Sequence, residues 1–245
     1  MTTQNKVALI TGASRGIGAA IARRLSADGF SVVINYAGNA AEAEKLVTEI
    51  KQTGRQAISV QADVSDPAAV SRLFDEATAA FGGIDVLVNS AGIMKLAPLA
   101  DSDDALFDSL VAVNLKGTFN TLRLASRSLR EGGRIINFST SVIGLRLENY
   151  SIYAATKSAV ETMTAILSKE LRGRSITANV VAPGPTATDL FLKGKSPELI
   201  DRMSKMNPLE RLGTPDDIAY AVSFLASSEG GWINGQVLRA NGGMI

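Results

Sequence analysis

The stretch Val7-Ala8-Leu9-Ile10-Thr11-Gly12-Ala13-Ser14-Arg15-Gly16-Ile17-Gly18 decides how the rest of the chain reads. Its first five residues are apolar or β-branched without alternation, which predicts a strand covered on both faces, as in a parallel sheet. The glycines then predict a tight turn into a helix that begins near Gly16 and ends before Gly29. A strand, a glycine turn and a helix N-terminus in this order make an anion site. Glycine lets the backbone approach a pyrophosphate, and the helix start offers oriented N–H groups and a partial positive charge. The spacing is Gly-x-x-x-Gly-x-Gly, not the Gly-x-Gly-x-x-Gly of other dinucleotide folds. Gly12, Ser14, Arg15, Gly16, Ile17 and Gly18 are therefore candidate cofactor contacts.

Working outward, short runs of the same kind recur at Ser31–Tyr36, Ala57–Gln61, Ile84–Val88, Arg134–Phe138, Ile176–Val181 and Gln236–Arg239. Helical patterns lie between them: Ala40 to about Thr53, a start after Asp66-Pro67, another at Ser102–Asp104, a long one over Ser151–Arg172, and a late one opened by Thr214-Pro215. Asp before Pro is a helix-start signal, because Asp caps and Pro suits the first helical position. The alternation predicts an α/β chain: one doubly wound parallel sheet of seven strands with helices on both faces, in a single domain over residues 1–245. Pro183–Pro208 departs from the pattern. It carries Gly, Pro and charge, and reads as an irregular insertion acting as a lid.

Composition narrows the chemistry. The 245 residues hold 25 Lys plus Arg and 24 Asp plus Glu, so no charged field favours nucleic acid as a partner. With no cysteine and no histidine, thiolate nucleophiles, disulfides and Ser-His-Asp hydrolysis are excluded, and no metal site is expected. Acid–base work falls to Tyr, Lys, Asp or Glu. The four apolar residues after Lys6 are too few for a signal-peptide core, and no 18-residue apolar run follows, so a soluble cytoplasmic protein without a membrane partner is expected.

Tyr153-Ala154-Ala155-Thr156-Lys157 puts Tyr and Lys four apart, on one face of the long helix. A phenol titrates near pH 10, and a nearby ammonium favours its phenolate, so such a Tyr can trade a proton with a carbonyl or alcohol oxygen. Upstream, in Asn137-Phe138-Ser139-Thr140-Ser141-Val142-Ile143-Gly144, Ser141 is positioned to hydrogen-bond the same oxygen. Asn114, in Val113-Asn114-Leu115-Lys116-Gly117, is a polar residue inside an apolar helical pattern. The second strand ends Ile34-Asn35-Tyr36-Ala37-Gly38-Asn39 with no acid to accept a ribose 2′-hydroxyl or repel a 2′-phosphate. Arg15 can pair with that phosphate, Ser14 and Asn35 can add donors, and Tyr36 can pack beside the adenosine, which points to NADP(H).

The glycine turn, Asn89-Ser90-Ala91-Gly92, Asn114, Ser141, Tyr153-x-x-x-Lys157 and Pro183-Gly184 resemble, in order and spacing, the short-chain dehydrogenases/reductases. The resemblance spans nearly the whole chain. It implies a seven-stranded Rossmann sheet, a homotetramer, no metal, and hydride transfer between NADP(H) and a small-molecule carbonyl or alcohol. It makes Tyr153 the proton donor or acceptor and Ser141 the substrate orienter. Lys157 would hold the nicotinamide ribose and tune Tyr153, and Asn114 would fix a water that continues the proton relay. Asn89, Ala91 and Gly92 would line the cofactor, as would Pro183, Gly184, Thr186 and Thr188, and Asp63 with Val64 would meet the adenine. Two departures are visible: Asn-Ser-Ala-Gly for the usual Asn-Asn-Ala-Gly, and Asn241-Gly242-Gly243 for the usual Asp-Gly-Gly. The second puts one local contact in doubt. A catalytically inactive nucleotide sensor need not keep Tyr153, Lys157, Ser141 and Asn114 together. The substrate pocket is expected near Met94-Lys95, Val142 to Tyr150 and Pro185–Leu192, with Arg146 and Glu148 as polar markers. Thioesters of 3-oxoacids, small ketones and polyhydroxy-aromatic ketones stay open.

Overall fold

The computed structural model describes residues 5–245. The strands are β1 (Val7–Thr11), β2 (Ser31–Tyr36), β3 (Ala57–Gln61), β4 (Ile84–Asn89), β5 (Leu129–Phe138), β6 (Thr177–Pro183) and β7 (Val237–Ala240). They form one sheet in the order β3-β2-β1-β4-β5-β6-β7, and each neighbouring pair is parallel. The helices are α1 (Gly16–Ala27), α2 (Ala40–Gln52), α3 (Pro67–Phe81), α4 (Asp104–Leu110), α5 (Gly117–Ser128), α6 (Val142–Leu145), α7 (Ser151–Glu170), α8 (Asp189–Leu192), α9 (Pro197–Ser204) and α10 (Pro215–Ala226). This is the doubly wound architecture that the sequence predicts.

Alternate residues of each strand feed opposite cores. Ala8 and Ile10 of β1 pack with α1, α2 and α10. Val7 and Leu9 pack with Val70 and Leu73 of α3, Leu122 of α5 and Leu167 of α7. Each fully buried aliphatic side chain contributes roughly 1.5–3 kcal/mol, so both faces are strongly driven to close. The strand order reverses between β1 and β4, which opens a crevice at the carboxyl ends of these strands. There the turn after β1 meets the segment after β4. Gly12 has φ +63°, and a Cβ on it would lie 2.7 Å from Ala91 Cα. A Cβ on Gly18 would lie 2.6 Å from the Gly12 carbonyl oxygen.

A buried polar chain crosses the middle of the sheet. Thr121 of α5 donates to Asn89 Oδ1, Asn89 Nδ2 donates to Asn137 Oδ1, and Asn137 Nδ2 donates to Thr164 Oγ1 of α7, each at 2.8 Å. Asn89 and Asn137 sit opposite one another in the β4–β5 register. These bonds tie α5 and α7 to one level of the sheet.

Three regions depart from expectation. Strand β5 begins five residues early, because Leu129 pairs with Ile84 ahead of a register shift near Ile84/Val86. Its glycine pair Gly132-Gly133 hides that half from a pattern of apolar runs. Between α4 and α5 the residues Val111–Lys116 wind as a π-helix. Pro183–Pro208 is irregular only in part: after β6 it folds into α8, capped by Thr188, and α9, capped by Ser196 with Pro197 in its first turn. Ser-Pro-Glu at residues 196–198 carries the same start signal as Asp66-Pro67, and the shortness of the two helices masks their period.

Candidate active site

A cavity of about 560 Å³ lies along the carboxyl ends of β1, β2, β4, β5 and β6. At one end it is lined by the glycine turn, the end of β2, and Asp63 and Val64; at the other, by Thr140, Tyr150, Tyr153, Lys157 and the α8–α9 segment. The expected contacts Gly12, Ser14, Arg15, Gly16, Ile17, Gly18, Tyr36, Asp63, Val64, Ala91, Gly92, Pro183, Gly184, Thr186 and Thr188 all border it. The residues fit a dinucleotide. Helix α1 has no side-chain cap and no acid in its first turn, which leaves its N–H groups to an incoming anion. Gly12 and Gly18 have no room for a Cβ where a phosphate would approach. Arg15 is exposed at the turn, and Ala37, Gly38 and Asn39 after β2 are exposed and carry no carboxylate.

Asn35, expected at the cofactor, borders the cavity, but its amide is spent on the scaffold, as is that of Asn89. Asn35 is 1 % exposed. Its Oδ1 accepts from Gly12 N, and its Nδ2 donates to the carbonyls of Ala62 at 2.9 Å and Val60 at 3.3 Å. It staples the glycine turn to β3 and has no donor left for a 2′-phosphate. Asn89 spends its amide in the buried chain under the cavity and does not border it.

Asn114 is fully buried in the π-helix, with Oδ1 accepting from Ile93 N at 2.9 Å and Nδ2 donating to Ile93 O at 3.0 Å. This two-point clamp fixes the backbone beyond Ala91-Gly92. A Cβ on Gly92 would come 3.3 Å from Asn114 Oδ1 and 3.6 Å from Lys157 Nζ, so glycine there keeps the cavity wall open. Lys157, one turn after Tyr153 on α7, is 6 % exposed. Its Nζ donates to the Phe138 carbonyl at 3.0 Å and sits 6.0 Å from the Tyr153 ring centroid. Burial lowers the Lys157 ammonium to about 8. Desolvation in the cleft pushes the Tyr153 phenol up to about 12, opposed by hydrogen bonding to Thr140, while Tyr150 adds to the rise. Tyr153 is therefore a neutral phenol near pH 7. Ser141 is buried, and its Oγ donates to the Ala182 carbonyl and accepts from Asn241 Nδ2.

Comparison with known proteins agrees with this geometry. A family profile described as "Enoyl-(Acyl carrier protein) reductase" matches residues 12–245. The chain is 44 % identical over 254 residues to an NADPH-dependent aldehyde reductase-like chloroplastic protein of Arabidopsis thaliana, covering 98 % of this chain and 94 % of the relative. Among solved structures it resembles a short chain dehydrogenase from Burkholderia cenocepacia in complex with NADP, at 40 % identity, TM-score 0.94 and 98 % of both chains. The chain belongs to the short-chain dehydrogenase/reductase family. It also resembles the angucycline C-6 ketoreductase LanV with bound NADP, at 35 % identity and TM-score 0.92, covering 98 % of this chain and 95 % of that one.

In this short-chain dehydrogenase/reductase several site residues carry no strong sequence signal. Tyr150 meets Tyr153 edge to face at 6.2 Å. Asn241 gathers the C-terminal tail, accepting from Gly243 N and Met244 N, and Met244 borders the cavity. Met203 and Met206 come from α9 and the turn after it. Conversely Lys95, Arg146 and Glu148 do not border the cavity; Lys95 donates to Ser109 Oγ, and Arg146 and Glu148 are exposed. No helix among the described residues is long and apolar enough to cross a membrane.

The buried ammonium makes a prediction for the free protein. Lys157 falls from 10.5 in the unfolded chain to about 8 when folded, so its charge opposes folding below pH 8 and the penalty fades as pH climbs toward 10.5. The stability advantage of Lys157→Met over the native chain should shrink by about 2 kcal/mol between pH 8 and pH 10. Denaturant unfolding of both proteins across that range checks this. A constant gap would mean that Lys157 keeps its ordinary pKa.

Proposed function

We propose that this chain uses NADPH to reduce the carbonyl of a bulky, apolar ketone or aldehyde, with Tyr153 delivering the proton. The observation that carries the reading is a phenol kept neutral at pH 7 inside a cleft whose other end fits a dinucleotide. A neutral phenol is the form that reduction needs, because it gives its proton to the oxygen on which negative charge develops. A bound nicotinamide would supply the hydride. Lys157, anchored on Phe138 O, keeps two further donors for ribose hydroxyls and brings its positive charge beside the phenol, which stabilises the phenolate left behind. Asn114 and Gly92 hold the wall against which the nicotinamide would lie.

The charged residues bordering the cavity are Arg15, Asp63, Lys157 and Asp189. Arg15 and Lys157 are claimed by the cofactor, so no cation is left to grip a phosphate carried by a thioester substrate. The remaining lining includes Met94, Leu145, Leu147, Phe191, Met203 and Met244. Methionine is adaptable and favours aromatic rings, which supports a large apolar ketone over a 3-oxoacyl thioester. The segment over 183–208 that bears α8 and α9 would act as the lid, turning about Gly194, whose φ is +78°. A tetrameric assembly is supported by exposed Phe107, Phe119 and Ile166 on α4, α5 and α7, and by Tyr220, Phe224, Trp232 and Leu238 at the α10–β7 end.

Two measurements test the reading. Tyr153→Phe should lower kcat at least about a hundredfold, the scale of general acid catalysis, while leaving NADPH affinity nearly unchanged. Near-normal turnover would remove Tyr153 from the mechanism. The native chain should prefer NADPH to NADH by about ten- to a hundredfold in kcat/KM, the scale of one charge-assisted contact, and Arg15→Ala should bring that ratio toward one. Equal use of the two cofactors by the native chain would contradict the assignment.

A further inference from the structure

The cavity holds a single amine. Among the described residues, Lys157 alone of the lysines borders it. Its Nζ donates to the Phe138 carbonyl at 3.0 Å. Beside it stands a glycine: a Cβ on Gly92 would lie 3.6 Å from Nζ, so the missing side chain leaves space next to the nitrogen. No carboxylate claims the charge. Glu161, one turn further along α7, accepts the Ser139 hydroxyl at 2.6 Å, and Asp63 and Asp189, the acids on the cavity border, form no ion pair with it. The other groups around Nζ are neutral: the Asn114 amide across Gly92, the Phe138 carbonyl, and the Tyr153 phenol, whose ring centroid is 6.0 Å away.

An ammonium enclosed in this way is pushed toward its uncharged form. Burial lowers Lys157 to about 8. At pH 7 roughly one Lys157 in ten is then a neutral amine, against roughly one in three thousand for an ordinary lysine. A desolvated amine facing an apolar pocket is the form of lysine that attacks carbonyl carbons. Aldehydes are the most reactive carbonyl compounds that such a cavity admits.

We propose that Lys157 of the cofactor-free protein is a covalent modification site for aldehydes, which it captures as imines, and that a bound dinucleotide protects it. The protection rests on the reading of the cleft as a cofactor site; the capture does not. In the step, the neutral amine attacks the carbonyl carbon, and a C–N bond forms as the C=O π bond opens. Both amine hydrogens end on the carbonyl oxygen, which leaves as water, and C=N replaces C=O. Nothing is oxidised or reduced. Tyr153, a neutral phenol in the same cleft, is placed to pass a proton to the departing oxygen and to regain one that the nitrogen sheds. The neutral imine nitrogen has no hydrogen left, so capture gives up the bond to Phe138 and every donor that ribose hydroxyls would use. An aldehyde that arrives before the cofactor is therefore an inactivator.

The test incubates the purified full chain at pH 7 with 2-naphthaldehyde and cyanoborohydride, which reduces imines to stable secondary amines, with and without NADP⁺. Peptide mass spectrometry maps the adducts over time. Without NADP⁺, Lys157 should be labelled at least about tenfold faster than the exposed Lys6, Lys45 and Lys51, as its larger neutral fraction requires. NADP⁺ should slow labelling of Lys157 at least about tenfold and leave the exposed lysines unchanged. Labelling of Lys157 no faster than that of the exposed lysines overturns the capture. Undiminished labelling with NADP⁺ bound, its occupancy followed by calorimetry, overturns the protection. Should NADP⁺ fail to bind at all, the cofactor reading fails, and the rate at Lys157 still decides the capture.

Discussion

The active end of this molecule depends on four side chains that never reach the cavity. Thr121, Asn89, Asn137 and Thr164 form one buried hydrogen-bonded chain through the centre of the sheet. Leaving any of these groups unpaired in the core would cost about 1–3 kcal/mol, so the chain tolerates one arrangement only. That arrangement sets the height of α5 and α7 against β4 and β5. The π-helix carrying Asn114 runs into α5, and Tyr153 and Lys157 ride on α7. The spacing between the cavity wall and Tyr153 is thus fixed by amides one layer below the cavity.

Without histidine, burial has to set the protonation states. The same cleft raises a phenol and lowers an ammonium, and both shifts come from desolvation. Lys157 is anchored on the Phe138 carbonyl, with its Nζ 6.0 Å from the Tyr153 ring centroid. The free protein therefore holds a neutral phenol near a buried amine at pH 7. Asparagine does the structural work on the polar side: Asn35 staples the glycine turn to β3, Asn114 clamps Ile93, and Asn241 fastens the tail to Ser141. Each uses the amide as donor and acceptor at once, which an aspartate could not do.

Much of this was legible in the sequence because the signals are local. The uninterrupted apolar runs, the glycine turn and Tyr153-x-x-x-Lys157 gave six strands nearly to the residue, the sheet class and the face of α7 that borders the cavity. What was hidden depends on where a side chain points. Asn35 ends a strand beside the cofactor groove, and only the fold shows that its amide turns inward to Ala62. Thr140 and Ser141 are consecutive hydroxyls that both border the cavity, and no pattern says that Ser141 is the one held by Ala182 and Asn241. Asn241 lies 100 residues from Ser141 in the chain. Helices α8 and α9 are too short to display a period, so their caps were the only available sign.

Transfer of label decides the central claim of carbonyl reduction most directly. NADPH deuterated at the transferable position of its nicotinamide would be given to the enzyme with an apolar ketone that also carries a conjugated double bond. The account predicts one deuterium on the carbinol carbon of the product, with the double bond intact. Deuterium on the carbon β to a surviving carbonyl would contradict it, and would place the chain among enoyl rather than carbonyl reductases.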